Sequence, residues 1–204
     1  DGARTRLVAR PPWRETARPV ADGGLAAVVV TAVYTVSFDG FAVTASYQSV
    51  LAATRDATGL GPAVSVGLYL AGLAAFLATF WAVAHLVGAA GVTAPVCSVA
   101  PTVVPIAAAY ELAHNYPYVL ASAGRLPTTV GLSAVESLTW LSVPVFWATQ
   151  VVLIVGGHLV AVVAAHRVVA TGEGSPLRAH APLVVLMVGY TILSLWIVSR
   201  PIVA

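Results

Sequence analysis

The chain of 204 residues contains no lysine, one cysteine and one methionine, and only 9% of its residues are charged. An ordinary soluble domain carries about 25% charged residues, so the deficit argues against the soluble fold classes. The lone Cys97 rules out a disulfide framework within the chain and any paired-cysteine metal motif. Its apolar surroundings suit a small buried hydrophobe. No HExxH, GxSxG, P-loop or GxGxxG pattern occurs, which leaves a soluble-type protease, esterase or nucleotidase without a motivated site. No basic, apolar and small-residue arrangement of a signal peptide is present, and the chain opens at Asp1 without Met. It is therefore expected to be a piece of a longer polytopic protein, with an N-terminal half missing.

Ten arginines stand against eight acidic residues, a net charge of +2. The N-terminal cluster Arg4, Arg6, Arg10, Arg14 and Arg18 is broken by Pro11, Pro12, Pro19 and Glu15. That pattern gives no support to a nucleic-acid partner and reads as a flank that fixes membrane orientation.

What the chain does have is apolar length: 59% hydrophobic residues and a mean hydropathy of +0.90. Uncharged runs of about 20 residues match a hydrocarbon layer ~30 Å thick at 1.5 Å per residue. The fold class is an all-α polytopic transmembrane helix bundle of about five spans, with the lipid bilayer of a cell membrane as its partner. Residues 1–22 form a polar Arg/Pro-rich arm, with Trp13 as an interfacial anchor, and 23–204 form the transmembrane domain. Its spans are predicted at about 24–53, 63–88, 96–121, 140–169 and 182–198. The first is expected to be kinked or broken at Asp39-Gly40, where Gly40 weakens the helix and Ser37 and Asp39 can bond freed backbone groups. The third carries Pro101, Pro105 and Pro117 beside Glu111, His114 and Asn115, and should be the most interior. Gly157, Ala161 and Ala165 form a small-residue ridge for close helix approach, within the chain or in a homo-oligomer.

With the arm cytoplasmic, seven arginines (Arg4, Arg6, Arg10, Arg14, Arg18, Arg167, Arg178) lie inside and three (Arg55, Arg125, Arg200) outside. The bias predicts a cytoplasmic N-terminal arm and an outside C-terminus. No internal repeat is visible.

Four ionisable residues, Asp39, Glu111, His114 and His158, fall inside these spans. An unpaired charge at membrane depth costs about 2.5 kcal/mol or more, so such residues mark a functional site by default. Glu111 and His114 share a helix face. Placing spans by their midpoints puts Asp39, Glu111 and His158 near one level, with His114 about 4.5 Å outward of Glu111. Carboxylate and imidazole together are good ligands for a divalent transition metal, so zinc, iron or manganese is expected on Asp39, Glu111, His114 and His158. Three other readings use the same residues or their neighbours. One is a proton or ion relay in a transporter or ion-coupled permease subunit. Another is purely structural hydrogen bonding. The last is a haem-binding or respiratory-complex assembly protein with histidine pairs across helices, His85 and His166 lying near the inner interface. His180 reads as a solvated loop residue.

The run Pro11-Pro12-Trp13-Arg14, then Ser37-Phe38-Asp39-Gly40, then Ala109-Tyr110-Glu111-Leu112-Ala113-His114, then Gly157-His158 with Ala165-His166-Arg167, resembles the fenitrothion hydrolase-like polytopic membrane proteins. The chain would correspond to their C-terminal half. The resemblance implies hydrolysis of a small lipophilic ester, with a metal on members of the buried set activating water.

Overall fold

The computed structural model describes residues 12–133, 142–170, 172 and 176–200. Arg4, Arg6 and Arg10 of the arm, Glu136 of the third loop and Glu173 of the fourth lie outside them. Helices α1 (Pro12–Glu15), α2 (Gly23–Ala42), α3 (Ala45–Thr58), α4 (Ala63–Ala89), α5 (Pro95–Val99), α6 (Val104–Ala123), α7 (Val143–Ala170) and α8 (Pro176–Val198) follow one another, with short 3₁₀ turns at Ala100–Val103 and Leu126–Val130. Five segments are long and apolar enough to cross a membrane: Gly23–Ala42, Ala63–Ala89, Pro95–Tyr116, Val143–Ala170 and His180–Val198. The chain is an all-α multi-pass membrane bundle. Helices suit that solvent because every backbone group is satisfied within its own segment.

The apolar run from Gly24 to Ala53 is two helices. The break falls at Val43-Thr44, beyond Asp39-Gly40, and the hydroxyl of Thr44 makes it. Thr44 Oγ1 donates to the Phe41 carbonyl at 2.7 Å and accepts from the Tyr47 amide at 3.3 Å, capping α3. Helix α3 then buries only Tyr47 and Leu51, exposing Gln48, Arg55 and Asp56, the pattern of a helix lying along an interface. It stops at Gly59, whose φ of 68° gives the left-handed cap and whose amide reaches the Arg55 carbonyl at 2.8 Å.

Helices α2, α6 and α8 run one way and α4 and α7 the other. At the arm end, the Val20 amide donates to the Cys97 carbonyl at 3.0 Å. Pro101 explains why that carbonyl is available: four residues on, it has no N–H to return. At the far end, Gly40 of α2 lies against the Tyr110 hydroxyl of α6 and the Ile197 side chain of α8. The third span is the most buried of the five, as its composition predicts.

Two hydrophobic clusters fill the bundle. The larger, toward the arm end, includes Val30, Phe80, Ala84, Val103, Ala161, Ala165 and Leu183. The smaller, toward the far end, holds Tyr110, Ala113, Ile154 and Ile197. Lipid tails are as apolar as these side chains, so close packing holds the helices together. Gly157 shows it: a Cβ there would collide with the Ala109 Cβ and the Pro105 carbonyl of α6. Gly157 of the small-residue ridge thus packs against α6, and Ala161 and Ala165 are buried in the larger cluster.

Candidate functional site at the far end

Asp39 lies three residues before the end of α2, and Glu111 and His114 lie in the last turns of the Pro95–Tyr116 span. All three sit toward the far end, Asp39 and Glu111 exposed and His114 half-buried. The midpoint placement put Asp39 too deep because it counted α3 as part of the first span. His158, by contrast, is central to α7 and 5% exposed.

Asp39 and His114 meet. His114 Nε2 stands 3.7 Å from Asp39 Oδ2, with side chains 24% and 71% exposed respectively. This is Coulombic contact, beyond direct hydrogen-bond distance. The His114 ring is held from behind by Tyr110, the two rings stacked at 5.8 Å and 11°. Tyr110 is itself 1% exposed, and its hydroxyl fits only because position 40 carries no side chain. Glu111 is exposed and tied along its own helix, its Oε1 accepting from Asn115 Nδ2 at 2.9 Å.

His158 stands apart. Its Nδ1 is 2.8 Å from the Ile154 carbonyl one turn back, and its buried Nε2 has no partner. Gln150 bonds the Ala113 carbonyl at 3.0 Å, which sets the level of α7 against the end of α6. His158 is eight residues further along α7, about 12 Å at 1.5 Å per residue. The expected single level for Asp39, Glu111 and His158 is therefore corrected to two levels.

The metal expectation meets a specific shortfall. Zinc sites keep three or four protein ligands, whereas Asp39 and His114 supply two, Glu111 turns to Asn115, and His158 lies deeper. Among the described residues, no group of three or more His, Cys, Asp or Glu side chains could hold one ion. The four residues do not fit one metal centre as they stand.

His114 opens on a cavity of about 580 Å³, whose wall also includes Thr44, Asn115, Tyr118, Trp147, Gln150 and Arg200. The Arg200 guanidinium lies 4.6 Å over the Trp196 ring, a cation–π contact at the mouth. Beyond the Gly40-Phe41 turn, a second cavity of about 270 Å³ is lined by Tyr34, Phe38, Phe41, Tyr47, Phe76 and Leu193. Ile197 borders both. Sequence reading missed Arg200 as a site residue, since it counted only toward orientation. Its signal was the spacing from Trp196, one helical turn back.

His180 is not a loop residue. It lies in α8, with its ring edge to face against His166 at 5.3 Å and its Nδ1 buried without a partner. The expected grouping of His85 with His166 does not form among the described residues, since His85 is exposed and His166 meets His180 instead.

No family model, no curated protein and no solved structure matches this chain.

Proposed function

We propose that the chain binds a small lipophilic molecule with a polar head at its far end, and hydrolyses it through acid–base chemistry of the Asp39–His114 pair. The carrying observation is the 3.7 Å approach of Asp39 Oδ2 to Nε2 of His114, the member of the pair that lines the 580 Å³ cavity. The adjoining aromatic cavity supplies an apolar surface for the rest of the ligand. The two residues that meet come from the Phe38-Asp39-Gly40 and Ala109-to-His114 motifs, which also carry the resemblance to the fenitrothion hydrolase-like proteins.

In this reading Asp39 holds the Nε2–H tautomer of His114 and leaves Nδ1 basic, the division of labour of a carboxylate–imidazole pair. Nδ1 takes a proton from water as its oxygen bonds to the ester centre, and returns that proton to the leaving oxygen as the ester bond breaks. Arg200, on the cavity wall, is the donor available to the charge that develops. The Nε2–H contact with Asp39 shortens once a ligand displaces water from the cavity.

The test is turnover of a panel of lipophilic carboxylate and phosphotriester esters by the purified chain in nanodiscs. His114→Ala is expected to lower turnover by about 100-fold or more, with the fold retained. Equal turnover by the variant would overturn the hydrolytic reading, and absence of saturable binding in the wild type would overturn the site.

A second reading, a proton- or ion-coupled permease, is favoured by one observation: the buried, unpartnered Nε2 of His158 on the arm side of the cavity. Ligand uptake by proteoliposomes that follows an imposed pH gradient and is lost in His158→Ala would select it.

A further inference from the structure

The arm end carries a feature that the far-end site does not use. Pro101 frees the Cys97 carbonyl, the Val20 amide takes it, and the arm is thereby held against the bundle. That contact brings Arg14, in α1, to the last turn of α7, where Arg167 stands. Arg14, Ala17, Pro19, Ser98, Arg167 and Val168 line an open cleft of about 390 Å³. Among the described residues its wall carries two cations and no acid.

The neighbouring arginine makes a useful contrast. Arg18 is neutralised by Glu15 at 2.9 Å, whereas neither Arg14 nor Arg167 has a carboxylate within 4 Å among the described residues. Ser98 is buried on the cavity wall, and its hydroxyl donates to the Thr93 carbonyl at 3.1 Å. The donors left for a ligand are therefore the two guanidinium forks, which match the geometry of phosphate oxygens. The cleft has room for a phosphate and its hydration. Arg167 stands in the last turn of α7, at the end of an apolar span, the place on a spanning helix where headgroups are met. Basic pockets between helices at this level bind anionic headgroups.

The bland alternative is that Arg167 serves only the carbonyl end of α7 and Arg14 only the membrane surface. That alternative needs no cleft lined jointly by segments so far apart in the chain.

We propose that Arg14 and Arg167 form a binding site for a phosphate-bearing anion, independent of the far-end cavity. The shared chemistry is a phosphate monoester or diester, supplied by a lipid headgroup or by the aqueous phase. The full chain is reconstituted in phosphatidylcholine nanodiscs, and its melting temperature is read against added inorganic phosphate. In parallel, lipid retained after extraction from mixed phosphatidylglycerol and phosphatidylcholine vesicles is counted by native mass spectrometry. Retention of phosphatidylglycerol at least about fivefold over its share in the vesicle, without response to inorganic phosphate, identifies a headgroup site. Saturable stabilisation by inorganic phosphate identifies an aqueous ligand. Either signal should fall about tenfold in Arg14→Gln/Arg167→Gln, fall less in Arg14→Lys/Arg167→Lys, and persist in Arg18→Gln. The lysine variant guards against a folding defect, since it keeps both charges and loses only the forks. Neither signal in the wild type, or equal loss in Arg18→Gln, overturns the proposal.

Discussion

His114 and His158 both sit in apolar helices and both neighbour buried residues, yet their surroundings differ in every respect that matters for chemistry. His114 is partly exposed, faces a carboxylate at 3.7 Å, rests on a tyrosine ring and borders a cavity. His158 is 5% exposed, and the structure gives its ring one bond, to a carbonyl of its own helix. Burial at mid-membrane selects for packing, whereas proton chemistry needs a partner and a route to water. The hydropathy anomaly that marks both residues cannot separate these two cases; geometry does.

The harshest way to break the comparison is to attack the packing around His158. Gly157→Leu forces a branched side chain into the Ala109 and Pro105 contact. Overpacking of this kind costs about 1–3 kcal/mol and sometimes more, and here the obstacle includes backbone. Loss of monodisperse protein on size-exclusion chromatography is expected, with Gly156→Leu as the control, since that position faces open space.

Next comes the exchange of roles between the two histidines. His158→Ala should lower stability by about 1–3 kcal/mol, leaving a cavity in the bundle, and leave ester turnover within about twofold if the protein is assayed below its melting range. His114→Ala should do the reverse, abolishing most turnover with little effect on melting, because its ring is only part-buried. Turnover lost equally in both variants would erase the distinction and favour a relay joining them.

Much of this arrangement was legible in the sequence, and the gaps have physical causes. Five apolar lengths gave five spans, and the proline-rich third was the most buried, as its polar residues required. Asp39 and His114 were already candidates for one site. The break at Val43-Thr44 was hidden because Phe41, Ala42, Val43 and Ala45 sustain hydropathy through it, and a threonine that caps a helix reads no differently from one inside. That hidden break shifted the midpoint of the first span and drew His158 into the same level as Asp39. His180 was misplaced for a related reason: Pro176 reads as a loop residue and Pro182 as the start of the fifth span, whereas Pro176 opens α8 and Pro182 is carried within it. An early proline suits a helix start. The resemblance to the fenitrothion hydrolase-like proteins rests on the same motifs and remains a proposal.

A finer test sharpens how His114 is held. Gly40→Ala places a methyl group where the Tyr110 hydroxyl now lies, so the tyrosine must move and its stacked partner His114 with it. Turnover should fall by about tenfold with only a modest change in melting temperature. Tyr110→Phe removes an oxygen that is buried without a partner, a change expected to be near neutral for stability. The double variant Gly40→Ala/Tyr110→Phe should then recover most of the lost turnover, because the methyl group occupies the space the hydroxyl vacates. Recovery would show that Gly40 acts through the tyrosine. A double variant as impaired as Gly40→Ala alone would place the effect in the α2 backbone instead.

The smallest expected effect belongs to Asp39 itself. Its carboxylate is 71% exposed, and an exposed ion pair contributes only about 0–1 kcal/mol in water. Asp39→Asn should therefore leave melting unchanged and reduce turnover by about tenfold or less, far below the loss in His114→Ala. The reduction should also depend on the ligand. A bulky ester that fills the cavity displaces water from the pair and strengthens its coupling, so the penalty of Asp39→Asn should grow with ester size. A penalty that is the same for small and bulky esters would mean that the carboxylate acts through open water, leaving His114 to work without a partner.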